Sequence, residues 1–456
     1  MNYLVWLFFS LLLTACSYFN PEYHKPNIDI RDSWEGQTIN NEKSTINLPE
    51  NAWWQQYQDP ELNEWIALAL KNNNNIQVAL ANIEVTENQL QTVEFAWVPN
   101  LPLLIGHSTM PAIGAPGYFF GMFPSYVLNI FKQIKLQDKL EYDIQAREYA
   151  YQTVKLAIIS QTITAYFTLL SNHYELNLYQ DLLMLSQDYL ALNTSRYTNG
   201  INSADDMDIS NSEIHKIKAQ IETVKHNIVL ASNALHLLTN QNAYEIITSN
   251  GFDQIELNQY IPTTLPLQTL KNRPDIQAAE AQLKSANESI GVASSDLFPN
   301  INLGLFLHNA YGSSINNTPN LLYPNEEFVS LPLDLTTFGK INTSHASYKS
   351  QSYQYIQTVR KALLDVENDI SAYNRYASRL GYLERAYDQF NNHCLLASSR
   401  YENGITDQLE IVDCQMQLVG TEISINQNKL EALMAVINLY QNLGAGYLVN
   451  QDEHNH

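Results

Sequence analysis

Leu62, Ile66, Leu70, Ile76, Leu80, Ile83 and Leu90 recur at helical spacing, so the pattern predicts an amphipathic helix with these residues on its buried face. Asp59 stands as N-cap before Pro60 at the first helical position, where a missing amide costs nothing. Pro99 ends the helix, because proline cannot continue the bonding pattern and pushes its predecessor towards extended geometry. The period then changes to two. Leu101, Leu103 and Ile105, then Tyr126, Leu128 and Ile130, alternate with other residues. Much later Ile301, Leu303, Leu305 and Leu307, then Val329, Leu331, Leu333 and Leu335, do the same more cleanly. Alternation with one apolar face predicts two-sided strands of about ten residues, the length of a transmembrane strand, although a soluble sandwich edge alternates as well. Gly114, Pro116, Gly117, Tyr118, Phe119 and Phe120 in one link, and Tyr311, Gly312, Tyr323 and Pro324 in the other, suit exposed loops beside an aromatic belt.

Each strand pair leads into an unusually long helix. From about Ile341 to Arg400 there is no proline and only Gly381, which at about 1.5 Å per residue gives a rod near 90 Å. Val359, Leu363, Val366, Ile370, Tyr373, Ala377, Leu380, Leu383, Tyr387, Phe390, Cys394 and Ala397 step by four and three with one slip, a coiled-coil seam. A returning helix repeats it with Leu409, Val412, Met416, Val419, Ile423, Leu430, Leu433 and Ile437. The helix from Lys135 to Arg196 is looser, with Val154, Ile158, Ala165, Leu169, Leu176 and Leu183.

The order is written twice. Val98-Pro99-Asn100-Leu101 returns as Phe298-Pro299-Asn300-Ile301, and Arg196-Tyr197-Thr198-Asn199-Gly200-Ile201 returns as Arg400-Tyr401-Glu402-Asn403-Gly404-Ile405. A doubled helix-and-strand unit is a building element, since an active site rarely needs doubling. The expected organisation is a signal peptide over 1–15, a tether over 16–58, a first repeat over 59–262, a second repeat over 263–446, and a tail over 447–456.

Composition narrows the function. Among 456 residues, 47 Asp and Glu against 25 Lys and Arg give a formal charge of -22, which repels nucleic acid and favours cations at a surface or lumen. No internal run reaches about 18 apolar residues, so the reading places no transmembrane helix beyond the N-terminus. Leu4 to Leu13 has the look of a signal-peptide core, without the usual Lys or Arg before it. It ends in Leu13-Thr14-Ala15-Cys16, a lipobox-like run that makes Cys16 the expected lipid attachment point, and Ser17 after it suits export to the outer membrane. Cys394 and Cys414 lie at equal distances either side of Gly404. A disulfide between them is conceivable in an oxidising compartment. However, helix axes run about 8–10 Å apart, wider than most disulfides accept, so two separate packed thiols are expected.

Two strands per repeat give four per chain, and the smallest transmembrane barrels need about eight. Open strand edges cannot face lipid. Strands that enter a membrane here therefore require several chains to share one barrel.

The motifs point to a family. Trp53-Trp54 with Asp59-Pro60-Glu61-Leu62, Asn72 and Ala79 resembles the opening signature of outer-membrane efflux lipoproteins of the TolC family, the OprM/NodT-like outer-membrane factors of RND-type pumps. Leu270-Lys271-Asn272-Arg273-Pro274-Asp275-Ile276-Gln277-Ala278-Ala279-Glu280, then Ile290-Gly291-Val292-Ala293 and Phe298-Pro299, resembles the matching segment of the second repeat. One departure falls at Asn129-Ile130-Phe131-Lys132, where the family usually has an acidic, hydrophobic, aromatic and glycine stretch. The resemblance implies a mainly α fold with transmembrane β: a homotrimer whose 12-stranded outer-membrane barrel, four strands per chain, continues into a periplasmic α-helical coiled-coil barrel. It implies a passive exit duct for drugs and small solutes, gated at its periplasmic helical tip, with a periplasmic adaptor and an inner-membrane pump of the RND type as partners. No cofactor is implied beyond the covalent lipid on Cys16.

Carried onto this chain, the resemblance puts an inward acidic ring at Asp413, with Glu410 one turn before it and Asp205, Asp206 and Asp208 in the first copy. Three like carboxylates around a narrow axis attract cations and disfavour ionisation. Asp205 fits a helix N-terminal residue equally well, whereas for Asp413 a solvated face is the lesser alternative to the ring. Arg196, Tyr197, Arg400 and Tyr401 are candidates for bonds that hold a closed state, and are also explained by turn packing. Asn199, Gly200 and Ile201, with Asn403, Gly404 and Ile405, become the adaptor-contacting tips. Rival readings are a protein-secretion conduit, a structural coiled-coil lipoprotein and an enzyme. No phosphate loop, His-Glu-x-x-His or Gly-x-Ser-x-Gly motif supports the last. Asp452, Glu453, His454 and His456 read as a frayed end and call for no metal.

Overall fold

The computed structural model describes residues 21–29, 48–100, 103–108, 117–122, 126–244, 246, 251–255, 267–302, 329–330 and 334–448. Cys16, the signal-like segment, strand positions Leu101, Leu303, Leu305, Leu307, Leu331 and Leu333, and the chain from 449 onward lie outside the described residues. Helices α1 (Pro60–Asn72) and α2 (Asn74–Phe95) precede strands β1 (Leu103–Ser108), β2 (Gly117–Met122) and β3 (Val127–Leu128). Then come α3 (Ile130–Thr198), α4 (Ala204–Thr239), α5 (Pro274–Ser294), β4 (Asn300–Asn302), β5 (Val329–Ser330), α6 (Leu335–Glu402) and α7 (Gln408–Asn442). Among the described residues one helix, α3, holds an 18-residue stretch apolar enough to cross a membrane, but most of that stretch is buried inside the protein, which accounts for its composition.

The chain divides into two compact units that cut across the repeats. One takes Met1–Asp29, Ala79–Tyr151 and Pro274–Arg360 and holds every described strand. In it β1 and β2 pair antiparallel, Leu103 opposite Met122 and Ser108 opposite Gly117. The second sheet mixes the copies: β3 pairs with β4, and β4 with β5, all antiparallel. Below the strands, Asp296 accepts ion pairs from Lys132 at 2.7 Å and Lys340 at 3.1 Å. Residues 21–29 run without regular structure along this unit, where Lys25 pairs with Glu280 and Asn287 Nδ2 donates to the Pro21 carbonyl at 2.9 Å.

The other unit takes Ile30–Val78, Gln152–Arg273 and Lys361–His456. Its core is knotted where three distant segments meet. Trp53 is 1% exposed and stacks on Tyr440 with ring centroids 4.5 Å apart. Gly446 N donates to the Leu48 carbonyl at 2.9 Å, and Leu448 N to the Pro49 carbonyl at 2.9 Å. Buried Arg273 donates from Nη1 to the Asn442 carbonyl at 2.7 Å, while Asn442 Nδ2 donates to Asp369 Oδ2 at 2.7 Å. As expected, Asp59 caps α1: Oδ1 accepts from Leu62 N at 3.1 Å, and Oδ2 accepts from the Tyr166 hydroxyl at 2.7 Å.

Several expectations need correction. The first helix is two, because Asn73 leaves helical geometry, donates to the Leu238 carbonyl at 2.9 Å and accepts from Asn75 N. Leu80, assigned to the buried face, is exposed. Ile130 and Leu335 are helical residues, since Asn129 Oδ1 accepts from Lys132 N at 3.0 Å and Asp334 Oδ1 from Thr336 N at 2.8 Å. These caps start α3 and α6 several residues before the seams become visible. Gly117–Met122, read as link, is strand β2. Trp53 and Trp54 belong to the core, where composition alone assigned residues up to 58 to a tether. The coiled-coil seam is where the spacing put it, with Val359, Val366, Ile370, Ala397, Val412, Ile423, Leu433 and Ile437 buried.

Two substitutions test the knot. Gly446 has φ +92°, and an added Cβ would stand 2.6 Å from the Trp54 ring and 3.2 Å from the Asn51 carbonyl. Gly446→Ala should therefore cost about 2–4 kcal/mol, read as a lowered midpoint in thermal unfolding of detergent-solubilised protein. Burial, aided by the Asp365 charge, pushes the Asp369 carboxyl up to about 6, against the opposing pull of the Asn442 hydrogen bond and the Arg273 charge. The folded state thus holds this proton more tightly than the unfolded chain, so the contribution is greatest below the ordinary 3.8 and is lost as pH rises through about 6. Asp369→Asn should stabilise the protein at pH 8 by about 1 kcal/mol after allowance for solvent screening. The gain should vanish by about pH 4, where the carboxyl is protonated anyway. A gain independent of pH would contradict this account.

Candidate functional site

The candidate residues gather at the two turns that end α3 and α6. Both are built alike. Gly200 has φ +74° and Gly404 φ +69°, left-handed values that any side chain would strain. In the first turn Ile201 N donates to the Arg196 carbonyl at 2.8 Å and Gly200 N to the Tyr197 carbonyl at 2.9 Å. In the second, Ile405 N donates to Arg400 and Gly404 N to Tyr401 at the same distances. This is the Schellman pattern, which satisfies the last helical carbonyls. Asn199 Nδ2 and Asn403 Nδ2 each reach back to a serine carbonyl, Ser195 or Ser399, at 2.7 Å. The residue after glycine normally packs back onto its helix. Here Ile201 is 66% and Ile405 72% exposed, so each turn presents a bare aliphatic side chain.

The polar wiring beneath the turns differs. In the first, Arg196 Nε donates to Asn202 Oδ1 at 3.1 Å, Asn202 Nδ2 to Asn193 Oδ1 at 2.8 Å, and buried Asn193 Nδ2 to Ser210 Oγ at 3.0 Å. Ser203 caps α4 in a reciprocal box with Asp206, and these hydrogen bonds, with the Arg196 charge, hold the Asp206 carboxyl below the usual carboxylate range. In the second, Arg400 and Thr406 both donate to Glu410, and Asp407 caps α7. Arg196 also pairs with Asp407, which ties one turn to the other. That pair is 33% and 54% exposed, so it contributes only about 0–1 kcal/mol and breaks readily.

Both arginines form ion pairs at the turns, Arg196 with Asp407 and Arg400 with Glu410. The Tyr197 and Tyr401 side chains are exposed and carry no hydrogen bond among the described residues. Of the five acidic candidates, Asp206 and Glu410 are committed to local bonds. Asp205, Asp208 and Asp413 are exposed and unbonded among the described residues, free to present charge. Asp407, Asn202, Asn193 and Ser210 were not singled out in the sequence. Ser203-x-x-Asp206 and Asp407-x-x-Glu410, each following a glycine turn, are capping signatures, and the second marks one of these positions, Asp407.

The cysteines correct a further expectation. Cys394 and Cys414 form a disulfide, with Cα atoms 5.5 Å apart. The axis-to-axis spacing of packed helices misleads here. Each Cα lies about 2.3 Å off its axis, so two residues facing across a seam stand much closer than the axes do. No group of three or more potential metal ligands occurs among the described residues.

Comparison with known proteins sets this geometry in context. The family model described as outer membrane efflux protein matches residues 65–241 and 265–445. The solvent efflux pump outer membrane protein SrpC of Pseudomonas putida is 25% identical, over 98% of this chain and 98% of its own. The probable outer membrane lipoprotein SilC of Salmonella typhimurium is 24% identical, over 96% and 97%. In fold, the chain resembles the crystal structure of the Campylobacter jejuni CmeC outer membrane channel, with a TM-score of 0.76 at 18% identity over 95% of this chain and 96% of that one. With two family matches spanning most of its length, laid over paired strands and twin helical turns, the chain belongs to the outer membrane efflux protein family.

Proposed function

We propose that three copies of this chain form the outer-membrane duct of a tripartite efflux system, a passive exit for small solutes that closes at the helical turns and opens on contact with a periplasmic adaptor. The observation that carries the reading is the strand arrangement. Strands of the first copy pair in one sheet and strands of both copies in the other, and the outer edges of both sheets have no partner among the described residues. In a bilayer every strand edge must be paired, and the few strands of one chain cannot close a barrel by themselves. Exposed Val78, Leu80, Val85 and Phe95 on α2 supply apolar surface for such association. The relative named a solvent efflux pump protein supports small apolar solutes as cargo, in preference to secreted proteins. The paired strands argue against a purely structural coiled-coil lipoprotein. Cys16 carries the lipid in this reading, supported by its lipobox-like context and by the relative named a lipoprotein.

At the turns, Asp413, Asp205 and Asp208 line the narrow entrance and favour cations, while Arg196–Asp407 and Arg400–Glu410 hold the closed arrangement. Exposed Ile201 and Ile405, with Asn199, Gly200, Asn403 and Gly404 shaping the loops, meet the adaptor. Energy comes from an inner-membrane pump of the RND type.

The test is oligomeric mass in detergent together with conductance in planar bilayers. A monomer with no conductance would defeat the proposal. Asp413→Ala should leave the trimer intact, raise ion leak several-fold and weaken cation preference, measured by reversal potential in a salt gradient. Arg196→Ala, which removes an exposed pair worth about 0–1 kcal/mol, should raise the resting leak by up to about fivefold per tie without changing selectivity.

A further inference from the structure

The two turns are the same in backbone and different in how each is fastened from within. The copies are offset by 204 residues, Arg196 to Arg400. With that offset Cys414 falls on Ser210, and Cys394 on Leu190. The first hairpin is fastened at this level by a hydrogen bond, Asn193 Nδ2 to Ser210 Oγ at 3.0 Å. The second is fastened by a covalent bond. Its position matters. Cys414 lies on the first turns of α7, next to Asp413, one turn beyond Glu410 and two beyond Asp407. Cys394 lies on α6 two turns before Arg400. Everything the second turn contributes to the gate therefore sits inside the loop that this bond closes, with the acid of the proposed ring immediately beside it.

We propose that the Cys394–Cys414 disulfide makes the α6–α7 tip a single lever, so that the gate opens by displacement between the hairpins, and that reducing the bond loosens the closed state. This rests on the gate reading above. At the turns themselves the ties differ greatly in strength: between the hairpins an exposed ion pair, with Ser186–Met416 and Ser171–Asn426 joining α3 to α7 farther along, and within the second hairpin a covalent bond. Motion takes the weaker one. With the bond intact, losing Arg196–Asp407 requires the whole hairpin to shift. Without it, the start of α7 can fray and carry Asp407 away from Arg196 by itself. Cys414 is fully buried and Cys394 half-buried, so a dithiol reductant reaches the Cys394 sulfur first. Its thiolate attacks that sulfur, the S–S bond breaks and Cys414 leaves as thiolate. The reductant's second thiolate then closes on its own sulfur, freeing Cys394, and the reductant is oxidised to a cyclic disulfide as the protein disulfide gains two electrons.

The experiment compares the oxidised full-length protein, the same protein treated with dithiothreitol, a Cys394→Ser/Cys414→Ser double variant, and Arg196→Ala with its disulfide intact. Each is read by amide hydrogen exchange over residues 400–416 and by resting conductance in planar bilayers. The expected result is exchange at least tenfold faster, and a several-fold larger leak, in both the reduced protein and the double variant. Unchanged exchange on losing the bond overturns the proposal. So does faster exchange with no added leak while Arg196→Ala does leak, because the gate then stands and the lever does not. If no variant alters the leak, the gate reading fails and this inference fails with it.

Discussion

A strand in hydrocarbon must satisfy each backbone amide and carbonyl within the protein, because lipid offers no partner. This chain brings β1 and β2 into one antiparallel pair and β3, β4 and β5 into another sheet, with partners drawn from both repeats. The pairing between β3 and β4 shows why duplication suits such a design: a second copy extends the sheet of the first. Extension without closure still leaves an edge, and only a ring removes edges. Membership of the outer membrane efflux protein family agrees with that demand.

Much of the architecture was legible because its signals are local. Asp59 before Pro60 caps α1, the glycines at 200 and 404 take left-handed values, and the seam through Val359, Val366 and Ile370 is buried. Other features hid because two signals competed at one place. Ile130 and Leu335 continue an alternation of apolar residues, yet Asn129 and Asp334 beside them cap helices, and a satisfied cap outweighs one more alternating position. Asn73 stands among neighbouring asparagines, so nothing in the pattern marks which of them breaks the helix until its partners at Leu238 and Asn75 are seen. Gly117–Met122 reads as loop because of its glycines, although Tyr118, Phe119 and Phe120 are good strand formers and the segment is strand β2.

At the candidate site the residue types were readable, and the wiring was not. Arg196 and Arg400 occupy equivalent places in identical turns, yet one reaches across to Asp407 and the other stays with Glu410. That difference depends on which carboxylate the fold brings near, a tertiary fact that spacing cannot carry. The cysteine pair teaches a related lesson, since helix spacing describes axes while bonding depends on the atoms that face each other.

The amides of Gly446 and Leu448 close onto the carbonyls of Leu48 and Pro49, which has a bearing on biogenesis. An N-terminal stretch that finds its partners only near residue 446 stays incomplete through nearly the whole of synthesis and export. The buried Trp53 face remains uncovered until α7 arrives with Tyr440. A polypeptide cut short before α7 lacks both the Tyr440 ring and these two amides, so its N-terminal segment has nothing to close against.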